Sequence, residues 1–379
     1  MGRSFMIGVA CLASLAASTG ASTEIEELPP SERSVFERNL VSENVAWKDI
    51  VTHQKAYSTL LQHSRNFSGN VLAYVTPWNN HGYDVAKIFG SKFTHVSPVW
   101  LQLKLEGSSF VISGQHDVDR GWIREVRDTG AKMLPRVLFE GWSPQQILDV
   151  SSSAGRTSSL GKVLTKLAHE NDFDGYVFEL WSQYNYSGKL ANALIKIIRG
   201  LYEPLRSSEL ALILVIPPPL YDDNVQGMFS RSHFEQLRDH VTAFSLMTYD
   251  YSSPQRPGPN SPIQWVRKCV ESLQPTESEY RAKILIGLNF YGYDYTAVGG
   301  GAIVGNQFVE MLQKHKPKIA WNEEFAEHYV QIRGNEGHHV MFFPTLKAIS
   351  MRLALATELG CGISIWEVGQ GMDYFYDLL

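Results

Sequence analysis

The feature that most constrains this chain is a rhythm that begins at Asn70. Short runs rich in β-branched and aromatic residues alternate with stretches of helical period. The runs are Val71–Thr76, Thr94–Leu103, Lys132–Phe139, Gly175–Leu180, Leu210–Ile216, Val241–Tyr249, Lys283–Phe290 and Gly362–Val368. Between them, helical period marks Asp119–Thr129, Ser159–Glu170, Gly188–Leu205, Arg231–Arg238, Ile263–Leu273 and Pro344–Leu359. Strands that alternate with helices pair in parallel, because a parallel connection needs a crossover long enough to hold a helix. Eight such units over about 300 residues predict an α/β fold, a closed (β/α)8 TIM barrel. An open doubly wound sheet would place a glycine-rich phosphate turn after its first strand, and Tyr74-Val75-Thr76-Pro77-Trp78-Asn79 is nothing like one. Gly299-Gly300-Gly301 comes too late for that role and reads as a loop.

Residues 1–21 read as a signal peptide. Arg3 supplies the positive start, Phe5–Ala17 the apolar run and Ala17–Ala21 the small residues for cleavage. The run is too short to span a membrane, so no membrane insertion is expected. The competing reading is a buried N-terminal strand or helix. The expected destination is secreted or lysosomal, with no sorting address to choose between them. Residues 22–65 are polar, contain Pro29-Pro30, and predict an N-terminal extension packed outside the barrel or partly disordered. Residues 66–379 then form the barrel. Cleavage removes Cys11 and leaves Cys269 and Cys361, which is no disulfide framework; whether they pair stays open. The secretory route makes Asn66-Phe67-Ser68 and Asn185-Tyr186-Ser187 candidate N-glycosylation sites.

A small insertion is expected between strand 7 and its helix, over Tyr295–Phe343. It carries a helix candidate at Gln307–Lys314 and short strand candidates near Ala320 and Val340, and could wall one side of a groove. His338-His339 lies within it. No third ligand sits at a metal-binding spacing, so the pair reads as a solvated turn; no metal or cofactor is expected. The net charge of −5 and pI of about 6.2 argue against a nucleic-acid or membrane-surface partner.

Aromatic residues make up 12% of the chain, and their placement is informative. A (β/α)8 barrel builds its site at the C-terminal ends of its strands. Those ends carry Tyr74 and Trp78, Trp100, Glu140 and Trp142, Glu179 and Trp181, Met247, Tyr249 and Asp250, Asn289 and Tyr291, and Trp366 and Glu367. One strand-end Trp is more often core packing than ligand contact. Recurrence around one face shifts the odds. Aromatic faces stack on the C–H faces of sugar rings, while acids and amides hydrogen-bond the hydroxyls. The candidate contacts for an oligosaccharide are therefore Tyr74, Trp78, Trp100, Trp142, Glu179, Trp181, Met247, Tyr249, Asp250, Asn289, Tyr291 and Trp366.

Four segments together resemble glycoside hydrolase family 18: Phe173-Asp174-Gly175-Tyr176-Val177-Phe178-Glu179-Leu180-Trp181, Leu246-Met247-Thr248-Tyr249-Asp250-Tyr251, Gly287-Leu288-Asn289-Phe290-Tyr291-Gly292 and Gly362-Ile363-Ser364-Ile365-Trp366-Glu367. The chain looks most like a divergent branch of secreted or lysosomal chitinase-like lectins. The resemblance implies a fourth-strand motif D-G-x-D-x-D-x-E in active members. Its final glutamate protonates the glycosidic oxygen, and the preceding aspartate orients the substrate's N-acetyl group, a substrate-assisted scheme. In this chain Asp174 and Gly175 match, Val177 replaces the next acid, Glu179 stands for the orienting aspartate, and Trp181 occupies the acid position. An indole N–H is no general acid.

Glu179 lies on the same face but about 6–7 Å deeper along the strand. One extra methylene recovers only about 1.5 Å, against the hydrogen-bond reach that proton donation needs. Glu179 is equally a buried charge paired with Arg136, by strand alternation. Asp174 can simply order the start of its strand. Tyr249 and Asp250 match family residues that contact the central sugar, and Trp366 matches the tryptophan that floors that subsite. Trp181 either lines the groove or plugs it. Three functions remain: a non-catalytic lectin for chitin-type N-acetylated oligosaccharides, a hydrolase with its acid moved to Glu179 or Glu140, or a protein-interaction module that meets a receptor.

Overall fold

The computed structural model describes residues 28–222, 225–334 and 337–379, so the signal-peptide expectation lies outside the described residues. Eight parallel strands close on themselves. β1 is Val71–Val75, β4 Gly175–Glu179, β5 Ala211–Ile216, β6 Ala243–Leu246, β7 Ile284–Asn289 and β8 Gly362–Trp366. β2 comes in two pieces, His95–Pro98 and Leu101–Glu106, and so does β3, Lys132–Met133 and Arg136–Phe139. The first piece of β2 pairs with β1 and with the first piece of β3; the second pairs with the second piece of β3. At each break one residue, Val99 or Leu134, joins the cluster inside the barrel. Pro135 helps make the break in β3, since it has no N–H for the ladder. β8 pairs with β1 and β7 and completes the circle.

The helices are α1 (Trp47–His53), α2 (Asn80–Ile88), α3 (Arg120–Asp128), α4 (Pro144–Ser151), α5 (Ala154–Asn171), α6 (Trp181–Tyr184), α7 (Ala191–Arg206), α8 (Arg231–Leu237), α9 (Ile263–Leu273), α10 (Gly305–His315) and α11 (Leu346–Leu359). Their apolar faces follow the helical period, as in α9, which buries Trp265, Val266, Cys269, Val270 and Leu273. α1, α2, α4 and α6 are additions to the helices read from the sequence. The α4 start was nonetheless legible, because Ser143 caps it, Pro144 opens it and Gln146 closes the capping box.

Two cores result. Leu72, Tyr74, Val99, Leu134, Val177, Ile213, Val215, Ala243 and Leu285 fill the barrel. A larger apolar layer lies between strands and helices. Gly175 is required where β4 meets β5. Its φ is 148°, and a side chain there would collide with Ala211 O.

The insertion after β7 is larger than its short candidates suggested. Five antiparallel strands run in the order Gly299–Ile303, Gly292–Thr296, Gly337–Phe342, Glu327–Gly334, Ile319–Asn322. α10 docks beside them with Phe308 stacked on Phe343 at 4.6 Å. The three glycines read as a loop are therefore an edge strand, and at Gly300 a Cβ would strike Asp294 O. The His338-His339 turn is likewise strand, with His339 Nδ1 2.7 Å from Asp294 Oδ2. Both corrections have one cause: each segment pairs in a hairpin with the strand just before it, and that pairing overrides weak local propensity.

The described part of the extension, from Leu28, is packed on the barrel. The Asp377 carboxylate accepts from Val35 N at 3.0 Å and Ser58 N at 2.6 Å, and Arg38 pairs with it at 3.4 Å. Buried Lys92 donates to Ser64 O and Leu379 O; burial lowers its amine to about 8. Further along, Glu43 pairs with Lys347 at 3.0 Å. Cys269 and Cys361 are both buried and unpaired, and burial pushes each thiol up to about 12. No helix among the described residues is long and apolar enough to cross a membrane.

Candidate functional site

The C-terminal ends of the strands form a mouth. Its floor is Trp366 at the end of β8, half-buried, with the Tyr74 ring 5.2 Å away. Tyr74 OH donates to Ser245 Oγ at 2.9 Å, and Ser245 donates to Ser364 at 3.2 Å, so β1, β6 and β8 are tied directly beneath the floor. Arg136 of β3 lies over the Trp366 ring, its Cζ 5.8 Å from the centroid. Arg136 Nε donates to Glu179 Oε2 at 2.5 Å, and a second guanidinium N–H meets the same oxygen. The pairing expected from alternation is present. Met247, like Trp366, packs partly buried against the cluster that fills the barrel.

The wall comes from β6 and β7. Tyr249 meets Tyr291 edge-on at 6.2 Å. Tyr291 OH donates to Asp250 Oδ1, and Tyr293 hydrogen-bonds the same carboxyl. Gly287 makes room for this arrangement, since a Cβ there would strike Leu246 O and crowd the Tyr249 ring. Asp250 takes a left-handed φ of 60°, and its N–H donates to Asn260 Oδ1 at 2.7 Å. Solvent reaches Asp250, yet crowding protein displaces much of its water and raises its carboxyl above the ordinary range; the two tyrosine hydroxyls oppose this. Burial raises the hydroxyls of Tyr249 and Tyr291 well above 10, so they stay protonated donors. Trp78, three residues past the end of β1, is 54% exposed.

Of the sequence candidates, Tyr74, Glu179, Met247, Tyr249, Asp250, Tyr291 and Trp366 come together here, and Trp78 is exposed just after β1. Four do not. Trp100 is fully buried, donates to Tyr83 OH at 2.7 Å and packs on Trp122. Trp142 is buried against Phe139 and Phe110 and donates to Leu103 O. Asn289 is buried, its amide committed to Tyr291 O at 2.8 Å. Trp181 neither lines nor plugs the groove. β4 stops at Glu179, Leu180 leaves the extended conformation (φ −148°, ψ −24°), and Trp181 begins α6. Its indole is fully buried between Phe229 and His233, both at 4.9 Å, and donates to Met228 O at 3.1 Å.

The sequon at Asn185 is also corrected. Asn185 is 1% exposed and its Nδ2, the atom a glycan would occupy, donates to Met228 O. Asn66 is exposed. Asp174 orders its strand, accepting from Met133 N at 2.7 Å and from Arg127 at 3.1 Å. Glu140 pairs with Lys104 at 3.3 Å, both partly in solvent.

Sequence reasoning missed two features. Asn260, far along the β6–α9 loop, gives no local signal of its role. Glu367, noted only as a neighbour of Trp366, is fully buried beside the floor. Its carboxylate accepts from Asn79 Nδ2 (2.8 Å), Thr76 Oγ1 (3.1 Å) and Gly369 N (2.6 Å). Burial pushes it up to about 7 against those hydrogen bonds. A buried acid directly after a strand-end Trp was the available signal.

Fold and mouth define a (β/α)8 barrel of the glycoside hydrolase type, with an aromatic floor and an acidic wall. The chain belongs to glycosyl hydrolases family 18, whose model matches residues 70–371. It is similar to the cortical fragment-lytic enzyme of Bacillus subtilis, 26% identical over 157 residues, 38% of this chain. That match spans about a third of the enzyme's length, 35%. Among solved structures, a chitinase from Chromobacterium violaceum superposes with a TM-score of 0.71 at 18% identity, covering 82% of this chain and 98% of that one. The Bacillus megaterium spore cortex-lytic enzyme gives 0.68 at 17% identity, covering 81% and 72%. A substituted family 18 chitinase from Cycas revoluta, solved with (GlcNAc)4, gives 0.66 at 16%, covering 82% and 98%.

Proposed function

We propose that the mouth binds oligosaccharides of the N-acetylglucosamine type without efficient hydrolysis. One observation carries this. The position that resembles the family's acid is Trp181, packed outside the mouth, while the Trp366 floor and the Tyr249–Asp250 wall persist. Glu179 is a poor replacement. Arg136 presents two N–H groups to one of its oxygens, which leaves that oxygen unavailable to a leaving group. The resemblance to the lectin branch typified by chitinase domain-containing protein 1 belongs to this proposal. So does passage through the secretory route, with Asn66 as the glycan site. The named relatives, chitinases and cortex-lytic enzymes, favour a polysaccharide ligand.

Titration with N-acetylglucosamine oligomers of increasing length tests this, following Trp fluorescence and new reducing ends together. Quenching that saturates, strengthens with length and yields no reducing ends is expected. Trp366→Ala should weaken it roughly 5- to 30-fold, about 1–2 kcal/mol. Cleavage that Glu179→Gln abolishes would replace the lectin reading with hydrolysis. No binding at all would move the ligand to the outer surface, where a protein receptor is the remaining candidate.

A further inference from the structure

A buried polar chain runs from the insertion to the mouth. Arg352 of α11 pairs with Glu327, on the fourth insertion strand, at 3.2 Å, and both are buried. Arg352 also donates to Ala326 O and Ser261 O. The Glu327 carboxylate accepts from Asn260 N at 3.0 Å and Ser261 N at 2.6 Å. That turn is then stitched to the end of β6 by three bonds. Ser261 Oγ donates to Thr248 O at 2.6 Å, Tyr251 N to Asn260 O at 2.9 Å, and Asp250 N to Asn260 Oδ1 at 2.7 Å. The last bond falls on the one mouth residue with a left-handed backbone. Left-handed backbone is uncommon outside glycine, though Asp tolerates it better than most, and here the Asn260 side chain holds the N–H of that residue.

We propose that Asn260, clamped by the Glu327–Arg352 pair, is a positioning residue for Asp250. It fixes the backbone that aims the Asp250 carboxylate between Tyr291 and Tyr293, and so sets how well the mouth holds a sugar hydroxyl. The inference rests on the oligosaccharide reading for its ligand, but its geometry stands apart from it. It also assigns the insertion a task beyond walling the groove. A strand about 75 residues later in the chain holds a mouth residue in place.

The experiment is a double-mutant cycle read with (GlcNAc)4, joined to carboxyl-13C titration of Asp250 in the full chain. Asn260→Ala leaves Glu327 and Arg352 in place and removes the Oδ1 acceptor together with the unpartnered Nδ2. It should weaken binding up to about tenfold, the upper end of what one neutral hydrogen bond contributes. In an Asp250→Ala background the same change should cost less than about twofold, because the residue it positions is gone. The Asp250 titration midpoint should move as its carboxyl leaves the two tyrosines. Equal losses in both backgrounds, with an unmoved midpoint, overturn the proposal. Glu327→Gln with Arg352→Met, which removes the pair jointly, should reproduce the coupling, and a fully additive loss there overturns it too. If the native chain binds no tetramer, the ligand reading fails and the midpoint alone decides: a shift in Asn260→Ala upholds positioning, and none overturns it.

Discussion

Replacing Trp181 with glutamate would copy the family's acid into its aligned position, and the structure says that no acid would result. The side chain at 181 starts α6 and points into the layer between barrel and helices, not into the mouth. Trp181→Glu therefore removes a fully buried indole from between Phe229 and His233 and its bond to Met228 O. Loss of that packing alone costs about 3–5 kcal/mol. The new carboxyl must also be buried, where it stays neutral or draws in water. Taking about 5 kcal/mol in all, and an unfolding entropy of roughly 0.7 kcal/mol/K for about 350 ordered residues, Tm should fall by about 7 °C. Calorimetry measures that fall. Release of a fluorophore from an N-acetylglucosamine oligomer measures hydrolysis, expected at the native level. A variant that keeps its Tm to within about 1 °C and turns over substrate would refute the orientation of Trp181, and with it the proposal of binding without efficient hydrolysis.

Two further outcomes follow from buried charge. The Glu367 carboxyl is raised to about 7 in the fold against an ordinary value of 4.5. Its stabilising contribution is thus fully present below about pH 4.5 and is lost as pH rises through about 7. Urea unfolding should show native stability declining by on the order of 3 kcal/mol across that window from this group, and Glu367→Gln should flatten the decline; superimposable pH profiles for the two proteins would contradict the assignment. Arg352→Ala strands Glu327 without its cation and should cost about 3–5 kcal/mol, whereas Glu327→Gln with Arg352→Met should cost clearly less. The comparison is made by denaturant midpoints, and equal losses would mean that the pair is not a compensating unit.

Much of the barrel was legible because each strand is a local event. β-Branched and aromatic runs declare themselves within about five residues, and alternation with helical period implies parallel pairing and closure. The same alternation placed Arg136 beside Glu179 before any coordinates. The insertion was less legible. Gly299–Ile303 has little strand propensity, and His339 sits in a polar stretch; both are strand because each closes a hairpin with the strand just before it.

The direction of the strand-end tryptophans lay wholly beyond the sequence. Trp100, Trp142, Trp181 and Trp366 all stand at β-run ends and share one chemistry. Alternation assigns a face only while the backbone stays extended, and it breaks at the first three but not at Trp366. After β4 the chain turns at Leu180, and Trp181 swings outward; at the end of β8, Trp366 is still within the strand and faces the mouth. The sequence alone therefore determined a (β/α)8 barrel, by its period, and a tryptophan at position 181 where the family motif it resembles ends in glutamate. Which aromatics meet a ligand was decided by tertiary structure, because a strand end is steered by whatever packs against it.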